Sequence, residues 1–273
     1  MAEALAPVKG TCPEGAVSEA DASKKVREMF TEIAPRYDFL NHLLSLQLDR
    51  LWRARAAKHL RPIFFRQETY VAERKPVFVR RETSVLDLCC GTGDLAIALN
   101  RRDWTHVLGV DFAHSMLVGA RKKSTRLHSP DLVQLRPIRY IEADALRLPF
   151  RDGAFDLVTT AFGFRNLANY EAGLEEIQRV LKPGGTVAIL EFTEPPVGRL
   201  GDFYRWYFCN VLPKIGGLIS GDQAAYKYLP KSVARFFRPP ELAALMTAVG
   251  YDCVDYHVWT FGTVALHTAL RPK

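Results

Sequence analysis

The stretch VLDLCCGTGDLAIAL at 85–99 limits what this chain can fold into more than any other. Val85 to Leu88 is an apolar, β-branched run of the kind buried on both faces of a parallel sheet, and helical character begins at Gly93 or Asp94. The turn between them is a natural ligand site. Gly91 and Gly93 let the backbone pass close to a ligand, and the start of the helix supplies unpaired N–H groups. The turn lacks the Lys-Ser/Thr ending of a nucleoside-triphosphate loop, and Ala96 stands where G-x-G-x-x-G needs its third glycine. Asp87 before the turn and Asp94 after it would repel a pyrophosphate. A ligand with a cationic end gains from them instead, and S-adenosylmethionine, with its sulfonium and ammonium, suits such a turn.

Two further segments extend this site. HVLGVD at 106–111 ends in Asp111, placed to accept hydrogen bonds from two ribose hydroxyls. YIEADALRLPF at 140–150 offers Asp144 and the backbone of Ala145 to the adenine amine and ring nitrogen. Each acid also has a plainer use: Asp87 as a turn cap, Asp111 as a helix N-cap, Asp144 as a loop bracket. The ordered series Asp87, Gly91, Gly93, Asp111 and Asp144 carries the inference jointly.

The chain around this core alternates between the strand and helix periods of α/β units. Strands are expected at 84–89, 106–110, 137–142, 155–160 and 186–191, with helices near 93–100, 114–123 and 169–181. LKPGGTVAILEF ends a helix at Lys182, turns through Pro183-Gly184-Gly185 and enters a strand. A helix at 240–248 precedes strands near 253–258 and 263–269, close enough for a hairpin. These pieces make an α/β fold, a doubly wound and mostly parallel sheet with an antiparallel edge. Upstream, 23–60 is mainly helical, with Val26, Phe30 and Ile33 on one face before Pro35 interrupts. The apolar set running from Tyr37 to Trp52 should pack over the main domain as a cap. The domain reading is a disordered tail at 1–22, a helical cap and basic connection at 23–82, and the main domain at 83–273. Within the connection, 61–82 carries a hairpin or short helix of unassigned role.

At 273 residues, one domain with a terminal extension is expected. Lys and Arg number 37 against 30 Asp and Glu, a net +7 that favours anionic surfaces. The excess is spread along the chain, so no nucleic-acid partner is expected. The start has no basic segment followed by an apolar run, and no uninterrupted stretch of about eighteen apolar residues occurs. Five cysteines without metal-ligand spacing read as reduced thiols in a cytoplasmic chain with no metal site.

The segments MFTEIAPRYDFLNHLLSLQLDRLWR at 29–53, VLDLCCGTGDLA at 85–96, ADALRLPF at 143–150 and AFGFRNLANYEAGLEEIQRVLKPGG at 161–185 go further. With LEFTEPP, VLPKIGGLISGD, YKYLPKSVARF and TFGTVALH following in order, the chain from about 23 to 270 resembles the S-adenosylmethionine-dependent C-methyltransferases of menaquinone and ubiquinone biosynthesis. The resemblance implies a Rossmann-like class I methyltransferase fold with a seven-stranded sheet. It implies cofactor contacts at Thr92 and Asp111, then Asp144 with Ala145. Ala161 stands where the family often has serine, which leaves a backbone contact there.

The implied reaction is methylation of a ring carbon of a prenylated hydroquinone, demethylmenaquinol in the leading reading and a methoxylated benzoquinol of the ubiquinone pathway in the alternative. A third reading is a non-catalytic RNA-binding or assembly protein on the same fold. The enzyme readings require stabilised phenolate charge on the acceptor, alignment and a route for the ring proton. Arg165 and Asn166 of FGFRN fit the first requirement; the plainer reading pairs Arg165 with a structural carboxylate and makes Asn166 a helix cap. Tyr37 and His42 are acceptor-side candidates from the cap, each with a packing alternative. The aromatic run Phe203, Tyr204, Trp206, Tyr207 and Phe208 opens a lid-like insertion at 199–235, which suits a membrane-interface segment, a lid or a homodimer contact. Tyr226, Tyr228 and Arg235 would complete the ring pocket. The setting expected is the cytoplasm, with peripheral contact at the inner face of the membrane.

Overall fold

The computed structural model describes residues 9–61, 65–69, 76–80, 82–101, 106–126, 137–194, 206, 210 and 223–273. Of the insertion expected at 199–235, only Trp206, Asn210 and 223–235 are among them, and Phe203, Tyr204, Tyr207, Phe208 and the side chain of Tyr226 lie outside the described residues.

The chain begins with α1 (Glu19–Ile33), capped by Ser18, whose hydroxyl accepts from the N–H of Asp21 at 3.2 Å. A 3₁₀ turn at Ala34–Arg36, where Pro35 removes a donor, leads into α2 (Tyr37–Leu44) and α3 (Leu48–His59). An antiparallel hairpin follows, β1 (Phe65–Thr69) and β2 (Pro76–Arg80), which resolves the hairpin-or-helix alternative for 61–82. The main domain then runs β3 (Ser84–Leu88), α4 (Asp94–Asn100), β4 (His106–Asp111), α5 (His114–Thr125), β5 (Arg139–Glu142) and β6 (Phe155–Ala161). It continues with α6 (Tyr170–Val180), β7 (Leu181–Phe192), α7 (Gln223–Arg235), α8 (Pro239–Ala248), β8 (Asp252–Trp259) and β9 (Val264–Leu270).

The seven-stranded sheet has the order β5-β4-β3-β6-β7-β9-β8. Its first five members pair in parallel, and β9 pairs antiparallel to both β7 and β8. The strand order reverses between β4 and β6, on either side of β3, so the crevice of a doubly wound sheet opens at the carboxyl end of β3.

Side-chain alternation builds a core on each face. Val85 of β3 with Ala188 and Leu190 of β7 belongs to one cluster, joined by Trp52, Ala56 and Leu60 of the cap. Leu86 and Leu88 with Val187 and Ile189 belong to the other, which holds Phe164, Leu174 and Ile177. Trp52 also donates from its indole N–H to the Thr260 hydroxyl at 2.7 Å, so the cap is fastened to the far edge of the sheet.

Three boundaries differ from the sequence reading. The helix expected to reach Lys182 ends at Val180, because β7 begins at Leu181 and Lys182–Gly185 forms an irregular excursion within it. The helical segment starts at Glu19 rather than 23. Residues 9–18, expected to be disordered tail, pack on the body through hydrogen bonds such as that of Thr11 N to Leu167 O at 2.8 Å.

Candidate active site

A cleft of about 880 Å³, its open mouth included, lies over the carboxyl ends of β3, β4 and β6 and under α1 and α2, a size suited to a small-molecule ligand. Its floor is the turn after β3. Cys89, Gly91 and Gly93 all sit at positive φ (52°, 54° and 83°), and Gly93 is the left-handed N-cap that starts α4. A Cβ on Gly93 would stand 2.6 Å from the Tyr140 hydroxyl, so this position needs glycine for both conformation and space.

The acids of the first three strand units all line the cleft. Asp87 is 1% exposed; one carboxylate oxygen accepts from the Thr159 hydroxyl at 3.0 Å and the other, Oδ2, is buried with no hydrogen-bond partner. Burial pushes its carboxyl up to about 7. Asp111 accepts from the N–H of Gly91 at 2.8 Å and of Ala113 at 2.9 Å, and burial pushes it up to about 6 against those two bonds. A carboxylate has room for further donors after two such bonds. Asp144 accepts from Leu146 N at 2.9 Å, which brackets the loop and turns buried Ala145 into the cleft wall. Ala161, at the end of β6, lines the opposite side of β3.

Thr92 lines the cleft, but its hydroxyl bonds to Asp38 of α2 and accepts from Lys123 at 3.0 Å. Lys123 also meets Asp38 at 2.6 Å and Asp94 at 2.7 Å. The hydroxyl therefore fastens the cap to the turn. Arg53 of α3 enters the cleft as well; it pairs with Asp49, lies 3.9 Å from Asp94 and sits 5.1 Å over the Phe162 ring. Its spacing of four from Asp49 on a helix looks like a routine surface pair in sequence, so nothing there marks it as a cleft residue.

The acceptor-side candidates separate. Tyr37 lines the cleft, its phenol raised by burial while Arg53 and Arg165 pull it down. Asn166, on a 3₁₀ turn at Phe164–Asn166, lines it too. Arg165 lies behind that wall. It donates to both oxygens of Glu191 from Nη1, at 2.8 and 3.2 Å, bonds to Phe162 O and stacks 5.3 Å over Phe192. Burial pushes Glu191 up to about 7 while Arg165 holds it down. The carboxylate partner of Arg165, left open by the sequence, is Glu191. Asn166 is not a helix cap; Asn169 caps α6, accepting from Ala172 N at 3.0 Å.

His42 departs from the expectation. It is 7% exposed, bonded to Asp49 at 2.8 Å and approached by Arg50 at 3.3 Å, and it does not line the cleft. Burial against Asp49 inside the cap is what removes it. Tyr228 reaches the site indirectly, donating to Asn166 Oδ1 at 2.9 Å, whereas Arg235 is exposed and donates to Cys12 O at 3.0 Å.

Solved structures share the architecture. A [4+2]-cyclase, SpnF, superposes with a TM-score of 0.62 at 16% identity over 99% of both chains. A SAM-dependent methyltransferase from Thermotoga maritima superposes at 0.59 with 18% identity, over 90% of this chain and 99% of that one. Fold and site together define an S-adenosylmethionine-dependent methyltransferase. Residues 18–271 match the ubiE/COQ5 methyltransferase family, and the chain belongs to it. It is 48% identical over 245 residues to a demethylmenaquinone methyltransferase of Thermus thermophilus, covering 89% of this chain and all of the relative. It is 45% identical to the demethylmenaquinone methyltransferase of Deinococcus radiodurans over 90% and 92% of the two chains. A ubiquinone/menaquinone biosynthesis C-methyltransferase of Geobacter sulfurreducens is 40% identical over 91% and 89%.

Proposed function

We propose that the protein methylates a ring carbon of demethylmenaquinol, giving menaquinol. The observation that carries this reading is one cleft lined both by the strand-end acids Asp87 and Asp111 and by Tyr37, Arg53 and Asn166. Likeness to demethylmenaquinone methyltransferases along most of the chain supports this acceptor.

When bound, S-adenosylmethionine supplies an electrophilic methyl group on a sulfonium. Asp87, which lines the cleft with a carboxylate not saturated by hydrogen bonds, would favour its positive end through charge, and Asp111 would accept from the ribose hydroxyls with the capacity its backbone bonds leave. Gly91 and Gly93, at positive φ with the backbone of Thr92 between them, would let the turn approach the cofactor closely, and Asp144 with Ala145, which line the cleft, would border the adenine. Ala161 adds backbone and a small apolar surface at the end of β6.

On the acceptor side, a phenol ring carbon becomes nucleophilic as its hydroxyl loses a proton, so negative charge on that oxygen must be stabilised in a site shielded from water. Asn166 offers amide donors and Tyr37 a hydroxyl and a ring wall. The two guanidinium charges that pull on Tyr37, Arg53 and Arg165, act equally on an acceptor oxygen beside it. Arg165 is thus an electrostatic and positioning residue behind the wall, held by Glu191. An arginine is not a base near pH 7 and takes no proton here.

A prenyl tail is drawn from a bilayer, and transient contact with the inner face of the membrane belongs to this reading. Exposed Phe39 and Leu43, one turn apart on α2, give the cap an apolar outer edge. Among the described residues no helix is long and apolar enough to cross a membrane.

The test is methyl transfer from labelled S-adenosylmethionine to a panel of reduced, prenylated naphthoquinols and methoxy-benzoquinols, with products identified by mass. Label on the naphthoquinol ring is expected. Label on the benzene ring alone would transfer the assignment to the ubiquinone-type acceptor, for which the Geobacter sulfurreducens relative is also named. No transfer despite cofactor binding would favour a non-catalytic role.

A further inference from the structure

The segment 9–17 precedes the residues matched by the family, 18–271, yet it reaches the acceptor wall. Gly10 runs so close to the chain after the 3₁₀ turn that a Cβ there would stand 2.2 Å from Leu167 O and 2.4 Å from Ala168 C. Thr11 next to it is 5% exposed, and its hydroxyl lies 2.6 Å from the Tyr228 hydroxyl. α7 holds the segment from its other side, through Arg235 to Cys12 O at 3.0 Å and Lys231 to Glu14 at 3.0 Å.

The direction of the hydrogen bonds can be worked out. Tyr228 has one hydroxyl hydrogen and donates it to Asn166 Oδ1 at 2.9 Å, so Thr11 must donate to Tyr228. The relay runs Thr11 to Tyr228 to Asn166. It sets the Asn166 amide with its oxygen toward Tyr228, while Nδ2 makes a long 3.5 Å contact with Phe162 O. The flipped amide would place its oxygen against that carbonyl, two acceptors face to face. The second hydrogen of Nδ2 is then left for the cleft that Asn166 lines.

We propose that residues 10–12 are a working part of the acceptor site, with Thr11 a positioning residue that acts through Tyr228 to present the Asn166 NH₂ to the acceptor's ring oxygen. This rests on the role given to Asn166 above. The partner recognised is an oxygen that gains negative charge during the reaction, so the effect belongs to turnover with quinol and not to cofactor binding.

The experiment measures kcat and KM for quinol, and the dissociation constant for S-adenosylmethionine, in the full-length chain and in Thr11→Val, Thr11→Ser, Gly10→Ala and Asn166→Ala, together with Thr11→Val on the Asn166→Ala background. Thr11→Val is expected to lower kcat about tenfold with cofactor affinity unchanged. Thr11→Ser should restore turnover, and Gly10→Ala, which displaces the segment by a different route, should repeat the loss. On the Asn166→Ala background Thr11→Val should add nothing further. Full turnover of Thr11→Val beside an impaired Asn166→Ala would overturn the relay alone, as would an equal loss in both backgrounds or a parallel loss of cofactor affinity. Full turnover of Asn166→Ala would overturn the role of Asn166 itself, and the relay with it.

Discussion

Asp87 and Asp111, proposed above to receive the cofactor, carry at the residue scale the mark of burial on a carboxylate. Both titrate above the ordinary carboxylate range, near 7 and 6, because burial disfavours the charged form. The folded chain therefore keeps protons there that the unfolded chain has already released. Their contribution to stability is full below about pH 4 and declines as pH rises through about 6 to 7. A bound cation favours the ionised carboxylates, so cofactor binding near pH 6.5 is expected to release protons, and affinity should weaken from pH 8 to pH 5.5. Calorimetry in buffers of different ionisation heat reads this directly; proton uptake, or affinity independent of pH, would contradict it. Asp111→Ala should weaken cofactor binding about 10- to 100-fold, since it loses the ribose acceptor and leaves the N–H groups of Gly91 and Ala113 without their partner. Arg165→Ala strands Glu191 in the core, so a loss of about 3–5 kcal/mol is expected along with turnover. The pair replacement Arg165→Met with Glu191→Leu should recover the melting temperature without recovering turnover. Recovery of both would make Arg165 purely structural.

Elements were legible where their local chemistry agreed with their place in the fold. The strand at Val85–Leu88 and the helix after Gly93 could be placed within about a residue because a buried apolar run, a left-handed glycine and a short apolar run of good helix formers coincide there. Gly93→Ala is expected to cost about 1–3 kcal/mol and to weaken cofactor binding, since its φ of 83° and the nearby Tyr140 hydroxyl both oppose a side chain. An unchanged melting temperature would show that the turn relaxes without strain. Other features depend on partners far away in sequence and leave no local trace. Pro183-Gly184-Gly185 reads as a break between elements, yet Gly184 N and Gly185 O bond to Arg271 and keep the excursion within β7. Residues 9–14 read as tail by composition, and contacts with distant residues such as Leu167, Tyr228, Lys231 and Arg235 give them a place. Nothing in the sequence singles out Glu191 or Arg53; folding buries Glu191 against Arg165 and Arg53 over the Phe162 ring. His42, a titratable side chain in a motif-rich run, attracted a chemical role that Asp49 and burial take away.

At the scale of the whole molecule, the sheet order gathers one site from residues distributed between Thr11 and Tyr228. The acids proposed to hold the cofactor come from β3, β4 and the loop after β5, and the residues proposed for the acceptor come from α2, α3 and the turn after β6. Cys89 and Phe162, at the ends of neighbouring strands β3 and β6, both take left-handed φ (52° and 61°) without being glycine and both line the cleft. Backbone strain thus collects on the cleft, at the carboxyl ends of β3 and β6. The net charge of +7 and the exposed apolar edge of the cap lead to a further expectation, that binding to anionic vesicles falls with rising salt and with Phe39→Ser. Vesicle co-sedimentation checks it, and binding indifferent to both would remove the cap from any membrane contact. The claim on which the account turns is that cofactor and acceptor share this one cleft, and a crystal structure with S-adenosylhomocysteine and a quinol analogue tests it most directly. Asp111 is expected to bond the ribose hydroxyls, with the acceptor's ring oxygen within hydrogen-bond reach of Asn166 Nδ2. A ring bound away from Asn166 and Tyr37, or a ribose that bypasses Asp111, would contradict it.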